Sequence, residues 1–246
     1  MEFATRRLHP GKALPTGQAM RNLRGGWFEN LISVVAWNSV IEFNKKAKGR
    51  LAIIAMPQES IMQFWELYDG EAKRVLDKLF SSLSEKGITL TLSNPDFLCV
   101  SVKEDGLLEE TSRPCQGLTL NNLRRIRAAY EPFKGKCSYN SINFGLAVKS
   151  TIRPDRRYQI VYEGSLLKAI VKHLRTVFVD RNYVVPYYGM VSQVELSDKD
   201  KVVFTNPTID SITDVDGEPR RAVDEIVTCE TVRQARNEIT EWLRAT

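Results

Sequence analysis

Apolar residues recur at helical spacing shortly after the N-terminus. Over residues 27–46 the apolar positions fall near one face of a helix and Gly49 follows them, which predicts a helix with Glu29 in its first turn. The run LAIIAM, residues 51–56, is apolar throughout and is followed by Pro57, which predicts a short buried strand.

The next part of the chain combines a helical pattern with an alternating one. Residues 59–86 have helical spacing up to Gly87. Residues 88–92 and 96–102 then alternate between apolar and polar positions, and the turn-forming residues 93–95 lie between them. This arrangement predicts a β-hairpin.

The second half of the chain continues with strand and helix patterns. Pro154 suits the first position of a helix, where its missing N–H costs no hydrogen bond. Thr231 and Gln234 have the spacing of a capping box. The predicted elements are a basic helix within residues 118–133, strands at 141–149, 183–194 and 201–204, and helices at 154–178 and 232–244. This order predicts an α/β fold with a mixed central β-sheet flanked by helices.

Length and charge add two expectations. A chain of 246 residues suits one large α/β domain, so we predict a single domain over residues 25–246 after a basic N-terminal arm over residues 1–24. The formal net charge of +5 favours a polyanionic partner. That signal is weak on its own, because many basic proteins bind no nucleic acid.

Cysteine and histidine usage narrows the chemistry. The four cysteines form no CxxC pair, and His9 and His173 are the two histidines, so a zinc site is not expected. No apolar run is long enough to span a membrane and no signal-peptide pattern is present, so we expect a cytoplasmic protein with reduced cysteines and no membrane partner. Any chemistry must then depend on carboxylates, lysine or a metal held by oxygen.

Two residues at predicted strand ends suit phosphodiester hydrolysis. This reaction needs an activated water, positive charge beside the phosphate and a proton for the leaving oxygen, and carboxylates holding Mg²⁺ near a lysine can supply these. Asp96 follows Pro95 at the start of one predicted strand, and Lys149 ends another. A Pro-Asp pair is common by chance, as Pro154-Asp155 illustrates, so this pattern alone is weak.

The segment that begins beside this lysine carries a more specific pattern. The sequence AVKSTIRPDRRYQIVYEG, residues 147–164, resembles the segment shared by type II restriction endonucleases that cut sites containing CCGG, the NgoMIV- and SgrAI-like branch of the PD-(D/E)XK superfamily. The sequences GWFE, residues 26–29, and SNPDF, residues 93–97, resemble two further motifs of that family. The resemblance covers roughly residues 25–175, and the order and separation of its motifs make it specific.

The resemblance implies a restriction-endonuclease-like PD-(D/E)XK core in a cytoplasmic, prokaryotic enzyme. Most of that superfamily has a metal-binding carboxylate two residues before the lysine, where this chain has Ala147. In the CCGG-cutting branch the carboxylate is moved to the following helix, and Glu163 matches its position. The backbone carbonyl of Val148 is a further metal ligand by the same resemblance.

The catalytic residues implied by the resemblance are four. Asp96 and Glu163 bind Mg²⁺, with one or two ions per active site. Lys149 stabilises charge on the phosphate or orients the attacking water, and Glu29 completes the acidic cluster. Glu29 also has a structural interpretation, as an acid that the helix dipole favours in a first turn.

Three charged residues suit base recognition. Arg can bond to guanine O6 and N7 and Asp can accept from cytosine N4, so Arg153, Asp155 and Arg156 suit G·C pairs in the major groove, and the resemblance assigns them to the CCGG core. Arg157 and Gln159 are further possible DNA contacts. The structural alternative is that Asp155 is a favourable acid at a helix N-terminus and the arginines are solvated charge.

The resemblance also implies partners and an outcome. A palindromic site in double-stranded DNA with one active centre per strand requires a two-fold assembly, so we expect a homodimer or homotetramer. The resemblance further implies a cognate DNA methyltransferase and cleavage that leaves 5′ overhangs. Two other functions stay open. A PD-(D/E)XK nuclease of repair type would not need the three base-reading residues, and a non-catalytic sequence-specific DNA-binding protein would leave DNA intact with Mg²⁺ present.

Overall fold

The chain folds around a mixed β-sheet. The computed structural model describes residues 17–90, 93–192, 196–208 and 220–246. Within these ranges the strands are β1 (Leu51–Ala55), β2 (Phe97–Ser101), β3 (Ile142–Lys149), β4 (Tyr187–Val191) and β5 (Glu225–Thr228), and they lie in the sheet in chain order. The first three are antiparallel neighbours, whereas β4 and β5 continue the sheet in parallel to β3. The predicted mixed sheet is confirmed.

Helices cover both faces of this sheet, as predicted. In the described part of the chain they are α1 (Gly17–Ala47), α2 (Gly70–Glu85), α3 (Asp105–Thr111), α4 (Leu120–Ala128), α5 (Pro154–Val177), α6 (Asp198–Phe204) and α7 (Val232–Arg244). Short 3₁₀ turns at Phe64–Leu67 and Glu131–Phe133 precede α2 and follow α4. Of the helices described, none has the length and apolar character needed to cross a bilayer.

Side chains alternate between the two faces of the sheet and fill two cores. Phe144, Leu146 and Val148 of β3 pack in the core that α1, α4 and α7 cover. Ala147 lies in the opposite core, which α2 and α5 cover. Because a fully buried large apolar side chain contributes roughly 1.5–3 kcal/mol, β3 is held firmly between the two helical layers.

Three predicted elements agree closely with the structure. β3 ends at Lys149, α5 begins at Pro154 and α7 begins at Val232. The capping box is formed, because the side chain of Thr231 accepts a hydrogen bond from the backbone N–H of Gln234 at 3.2 Å. Each of these boundaries depends on local chemistry, which the sequence displays directly.

α1 begins earlier than its apolar pattern predicts. It starts at Gly17, so Glu29 lies well inside the helix, and the prediction that Glu29 occupies the first turn is wrong. The dipole acts mainly at helix ends and therefore gives no reason for an acid there. Of the predicted arm, residues 1–16 lie outside the described residues and residues 17–24 belong to α1. The single domain over residues 25–246 stays a prediction.

The predicted hairpin is wrong for the residues that the structure describes. β2 pairs with β1 on one side and β3 on the other, with Leu98 opposite Ile54 and Gly145. Residues 88–90 form no strand, and residues 91–92 lie outside the described residues. Alternation of apolar and polar positions indicates which face of a strand is buried, but it does not identify the neighbouring strand.

The predicted strand at residues 201–204 is also wrong, because these residues belong to α6. The carboxylate of Asp200 accepts hydrogen bonds from the backbone N–H and the hydroxyl of Ser197, which stabilises the start of this helix. A short apolar run is compatible with either element, so tertiary contacts decide. Of the predicted strand at 183–194, residues Tyr187–Val191 form β4 and residues 193–194 lie outside the described residues. The pattern predicts neither β5 nor α3.

Two glycines allow α5 to approach the sheet closely. A Cβ atom at Gly164 of α5 would lie 2.8 Å from the ring of Tyr187 and would overlap the carbonyl oxygen of Ala222. A Cβ atom at Gly145 of β3 would lie 2.7 Å both from the same ring and from Leu167. The tyrosine ring therefore fills the space left by two absent side chains, and this packing fixes the distance between α5 and the sheet.

We expect Gly164→Ala to destabilise the fold by about 1–3 kcal/mol, because the new methyl group meets backbone that cannot rotate away. Equilibrium urea unfolding would measure the loss. Gly26→Ala in α1 is the matched control, since a Cβ atom there meets nothing within 4 Å. The control should stabilise the helix by about 0.5–1 kcal/mol. An unchanged free energy of unfolding for Gly164→Ala would contradict the close packing.

Candidate active site

β3 delivers Lys149 to one edge of the sheet. Lys149 is the last residue of the strand and lies opposite Val191, the last residue of β4. Alternation along the strand places it on the same face as Gly145 and Ala147, which is the face that α5 covers. Its side chain is only 6% exposed, so the ammonium group depends on protein partners rather than on bulk water.

Asp96 meets Lys149 from the start of β2. Lys149 Nζ donates to both carboxylate oxygens of Asp96, at 3.0 and 2.8 Å. The backbone N–H of Val148 also donates to this carboxylate, at 2.6 Å. Because the N–H and C=O of a strand residue point to the same side, the carbonyl of Val148 lies on the side of β3 where Asp96 lies. Two predicted metal ligands and the lysine therefore lie together.

The turn that precedes β2 is fixed by Asn94. Its side-chain oxygen accepts from the backbone N–H of Phe64 at 2.9 Å, and its amide nitrogen donates to the carbonyls of Pro57 and Met62 at 3.0 and 2.7 Å. Asn94 is buried, so these bonds replace its hydration. The turn therefore also holds the neighbouring Ser93 in a defined position.

Glu163 reaches the same site from α5 and is 1% exposed. Its Oε1 accepts hydrogen bonds from the hydroxyl of Ser93 at 2.9 Å and from the side-chain amide of Gln159 at 2.8 Å. Its Oε2 accepts from the hydroxyl of Tyr187 at 2.8 Å. The carboxylate is therefore held by donors from α5, from β4 and from the turn before β2.

The charges at this site act on one another. Burial raises the pKa of Glu163, and the charge of Asp96 raises it further. Burial alone would lower the pKa of Lys149, but the neighbouring carboxylates outweigh burial and raise it, so the lysine is charged at neutral pH. Glu29 lies at the exposed rim in α1, where partial loss of hydration and then the charge of Asp96 raise its pKa. The four predicted catalytic residues therefore form one electrostatic cluster.

The oxygen donors of this cluster suit a hard divalent cation. Within the described residues, no group of three or more His, Cys, Asp or Glu side chains is placed to hold a metal ion. Mg²⁺ commonly takes one or two protein carboxylates and keeps water or phosphate oxygens in its other positions. Asp96, Glu163 and the carbonyl of Val148 match that requirement, and a cation beside them would offset the burial and the charge of Asp96 that raise the pKa of Glu163.

The start of α5 presents the three predicted base-reading residues. Arg153 precedes the first residue of the helix, and its guanidinium lies 3.4 Å from the carboxylate of Asp155. Both of these side chains are more than half exposed, at 56% and 64%. Arg156 is half-buried and donates from Nη1 to the side-chain oxygen of Gln159 at 3.1 Å. Only residues 150–153 separate this turn from Lys149, so both sets of residues share one strand-to-helix connection.

The two weaker DNA-contact candidates are both engaged within the protein. Arg157 pairs with Asp200 of α6 at 2.8 Å, and both side chains are largely buried. This ion pair joins α5 to α6. Gln159 lies between Arg156 and Glu163 and bonds to both. Their roles as DNA contacts stay predictions.

Sequence reasoning missed two residues that contact Glu163. Tyr187 is fully buried in β4, and a tyrosine within an apolar strand gives no signal that its hydroxyl bonds to a carboxylate in another element. Ser93 precedes the Asn-Pro-Asp sequence directly, so its position beside a motif was an available signal.

Comparisons with known proteins give a consistent relationship. The protein-family model described as Cfr10I/Bse634I restriction endonuclease matches residues 6–244. The type II restriction enzyme Cfr10I of Citrobacter freundii is 31% identical to this chain over 208 residues, which cover 82% of this chain and 70% of that enzyme.

Solved structures agree with this relationship. The Bse634I restriction endonuclease superposes with a TM-score of 0.86 at 30% identity, over 98% of this chain and 81% of its own. The crystal structure of the type IIF restriction endonuclease Bse634I with cognate DNA gives the same TM-score and identity, over 95% of this chain and 79% of its own. The likeness therefore extends over nearly the whole chain.

We expect Glu163→Gln to raise the free energy of unfolding at pH 7. The folded-state pKa of Glu163 is raised above its ordinary value of 4.5, so ionising this side chain destabilises the folded state. The gain should be full above the folded-state pKa and should shrink as the pH falls through it toward 4.5. Urea unfolding at a series of pH values measures this.

Lys149→Met is the opposing control. It should lower the free energy of unfolding at pH 7, because it leaves the charges of Asp96 and Glu163 without their cation. A Glu163→Gln variant that is less stable than the wild type at every pH would contradict this electrostatic account.

Proposed function

The chain belongs to the Cfr10I/Bse634I restriction endonuclease family, and on that premise we propose that it hydrolyses double-stranded DNA at palindromic sites containing CCGG, using Mg²⁺ and leaving 5′ overhangs. Its relative Cfr10I is a type II restriction enzyme, and its structural neighbour Bse634I has been crystallised with cognate DNA. Both facts support DNA as the substrate of this chain.

One observation carries the proposal most strongly. The ion pair between Lys149 and Asp96 lies in the same electrostatic cluster as the buried Glu163, which is the combination that phosphodiester hydrolysis needs. A repair nuclease would need this cluster but not Arg153 and Arg156 at the start of the adjoining helix. A non-catalytic DNA-binding protein would not need the cluster.

The mechanism assigns a separate task to each residue. Asp96, Glu163 and the carbonyl of Val148 would hold Mg²⁺, which when bound supplies positive charge beside the phosphate and lowers the pKa of nearby water. The ammonium of Lys149, kept protonated by its carboxylate neighbours, donates to the phosphate or to the attacking water. Glu29 extends the negative charge of the cluster to its exposed rim and completes the acidic set.

Recognition of CCGG is assigned to the start of α5. Arg153 and Arg156 are suited to guanine O6 and N7, and Asp155 to cytosine N4. The exposure of Arg153 and Asp155 leaves their polar groups accessible to a major groove. We propose the NgoMIV- and SgrAI-like mode of recognition on this basis.

A palindromic site also sets the assembly. Two active sites related by a two-fold axis are needed to cut both strands symmetrically, so we propose a homodimer or a homotetramer. An enzyme that cuts a short site would also damage the DNA of its own host, and we therefore propose a cognate DNA methyltransferase that modifies the same site.

A cleavage map tests the proposed function. The purified protein is incubated with a sequenced plasmid and Mg²⁺, and the ends of the fragments are sequenced. Discrete 5′-overhanging ends at sites containing CCGG are expected. Nicking without sequence preference would favour the repair nuclease, and intact DNA that is nevertheless bound specifically would favour the non-catalytic protein.

We expect Asp96→Ala and Lys149→Ala to abolish cleavage, because each removes one partner of the ion pair at the reacting phosphate. Gel analysis of plasmid cleavage measures this. Lys73→Ala, which removes an exposed positive charge from α2, is the matched control and should cut normally. Cleavage at the wild-type rate by Asp96→Ala would refute the site assignment.

Arg156→Ala should instead weaken binding to the cognate duplex. The loss should be about 1–3 kcal/mol, the value of one bidentate contact to a base. Fluorescence anisotropy with cognate and unrelated duplexes measures the difference. Equal weakening on both duplexes would show that Arg156 contacts phosphate and not a base.

A further inference from the structure

Three residues of α5 form a continuous hydrogen-bonded chain. Arg156, Gln159 and Glu163 lie at helical spacing on one face of α5. Arg156 Nη1 donates to Gln159 Oε1 at 3.1 Å, and Gln159 Nε2 donates to Glu163 Oε1 at 2.8 Å. One amide thus connects a proposed base reader to a proposed metal ligand.

The orientation of this amide is determined by its neighbours. A guanidinium has donors only, and a carboxylate has acceptors only. The oxygen of Gln159 must therefore face Arg156, and its NH₂ group must face Glu163. As long as Arg156 holds the oxygen, the NH₂ group stays directed at the carboxylate.

This contact occupies a lone pair that a cation would need. Oε1 of Glu163 accepts from both Ser93 and Gln159, so both of its lone pairs are used. Within the described residues Oε2 accepts from Tyr187, which is fully buried, so Oε2 faces the closed core and Oε1 is the oxygen on the accessible side of the site. A cation that binds through Oε1 must therefore displace one of the two donors.

Gln159 is the donor that can move. Ser93 is adjacent to Asn94, whose side chain is fixed by three hydrogen bonds to the backbone. Gln159 is only half-buried, and its other partner is Arg156. In the proposed function Arg156 binds a guanine. When Arg156 leaves, only the hydrogen bond to Glu163 itself still holds the amide, and a cation that binds Oε1 can displace it.

We propose that Gln159 is a positioning residue that restrains metal binding at Glu163 until Arg156 engages its base. The inference rests on the proposed function, because it requires Arg156 to read DNA and Glu163 to bind Mg²⁺. Reading of the correct base removes the contact that fixes the amide oxygen, so that the cation can displace the amide from Oε1. Sequence recognition and metal binding are thereby coupled through one side chain.

Gln159→Met tests this proposal, because it keeps the shape and helix preference of glutamine and removes both hydrogen bonds. Without DNA, the variant should bind Mg²⁺ about tenfold more tightly, which is the gain expected from removing one competing hydrogen bond to a charged group. The measurement uses Mn²⁺ as a paramagnetic probe in solution, displaced by titrated Mg²⁺. Unchanged affinity for both ions would overturn the proposal.

Base discrimination is the second readout. The ratio of single-turnover cleavage rates on a cognate duplex and on a duplex with one substituted base pair should fall about tenfold in Gln159→Met. Tyr187→Phe is the matched control, because it removes a hydrogen bond to Glu163 that has no connection to Arg156. It should change both rates by the same factor.

The remaining outcomes separate the possible errors. A fall in discrimination with unchanged Mg²⁺ affinity would mean that Gln159 contacts a base directly, which overturns the coupling. An equal loss of cleavage on both duplexes would mean that Gln159 only supports Glu163, which also overturns it. If the wild-type protein cuts no DNA, the proposed function fails, whereas the affinity measurement without DNA still tests the restraint on Glu163.

Discussion

The ring of Tyr187 lies against two glycines, Gly145 in β3 and Gly164 in α5, and this contact sets the distance between the helix and the sheet. Because neither glycine has a side chain, α5 lies close enough for the tyrosine hydroxyl to reach Glu163. The same approach brings that carboxylate to the face of β3 from which Lys149 projects. The same contact therefore constrains both the packing of the core and the geometry of the candidate active site, and a methyl group at either glycine would disturb both.

This packing also explains how a carboxylate can be supplied from the helix. Ala147 and Lys149 face the same side of β3, and Ala147 is completely buried beneath α5. A carboxylate at residue 147 would lose all contact with water, which costs free energy unless hydrogen bonds replace its hydration. The carboxylate of Glu163 is supplied by α5, and three donors replace its hydration. Burial nevertheless raises the pKa of Glu163, so the folded state disfavours the charged form of this side chain. A positive charge beside it, from a cation or from protonated Lys149, favours the charged form.

α5 carries both the candidate base-reading residues and the candidate metal ligand Glu163. Its first turn carries the exposed Arg153 and Asp155, and two turns later the same helix carries the buried Glu163. A rigid helix transmits position between these points, and the hydrogen bonds through Gln159 add a second connection that can break. In the proposed mechanism, the first connection fixes the position of the DNA relative to Glu163, and the second makes metal binding at Glu163 depend on the DNA sequence.

Features that depend on local chemistry can be read directly along the chain: the strand that ends at Lys149, the helix that begins at Pro154, and the motif order of the candidate catalytic residues. Tertiary packing set the features that depend on neighbours distant in sequence. It paired β2 with β1 and β3 instead of a hairpin partner, because alternation indicates a buried face and not the adjacent strand. It also brought Tyr187 to Glu163, a contact that no spacing along the chain records because it arises where separate elements pack.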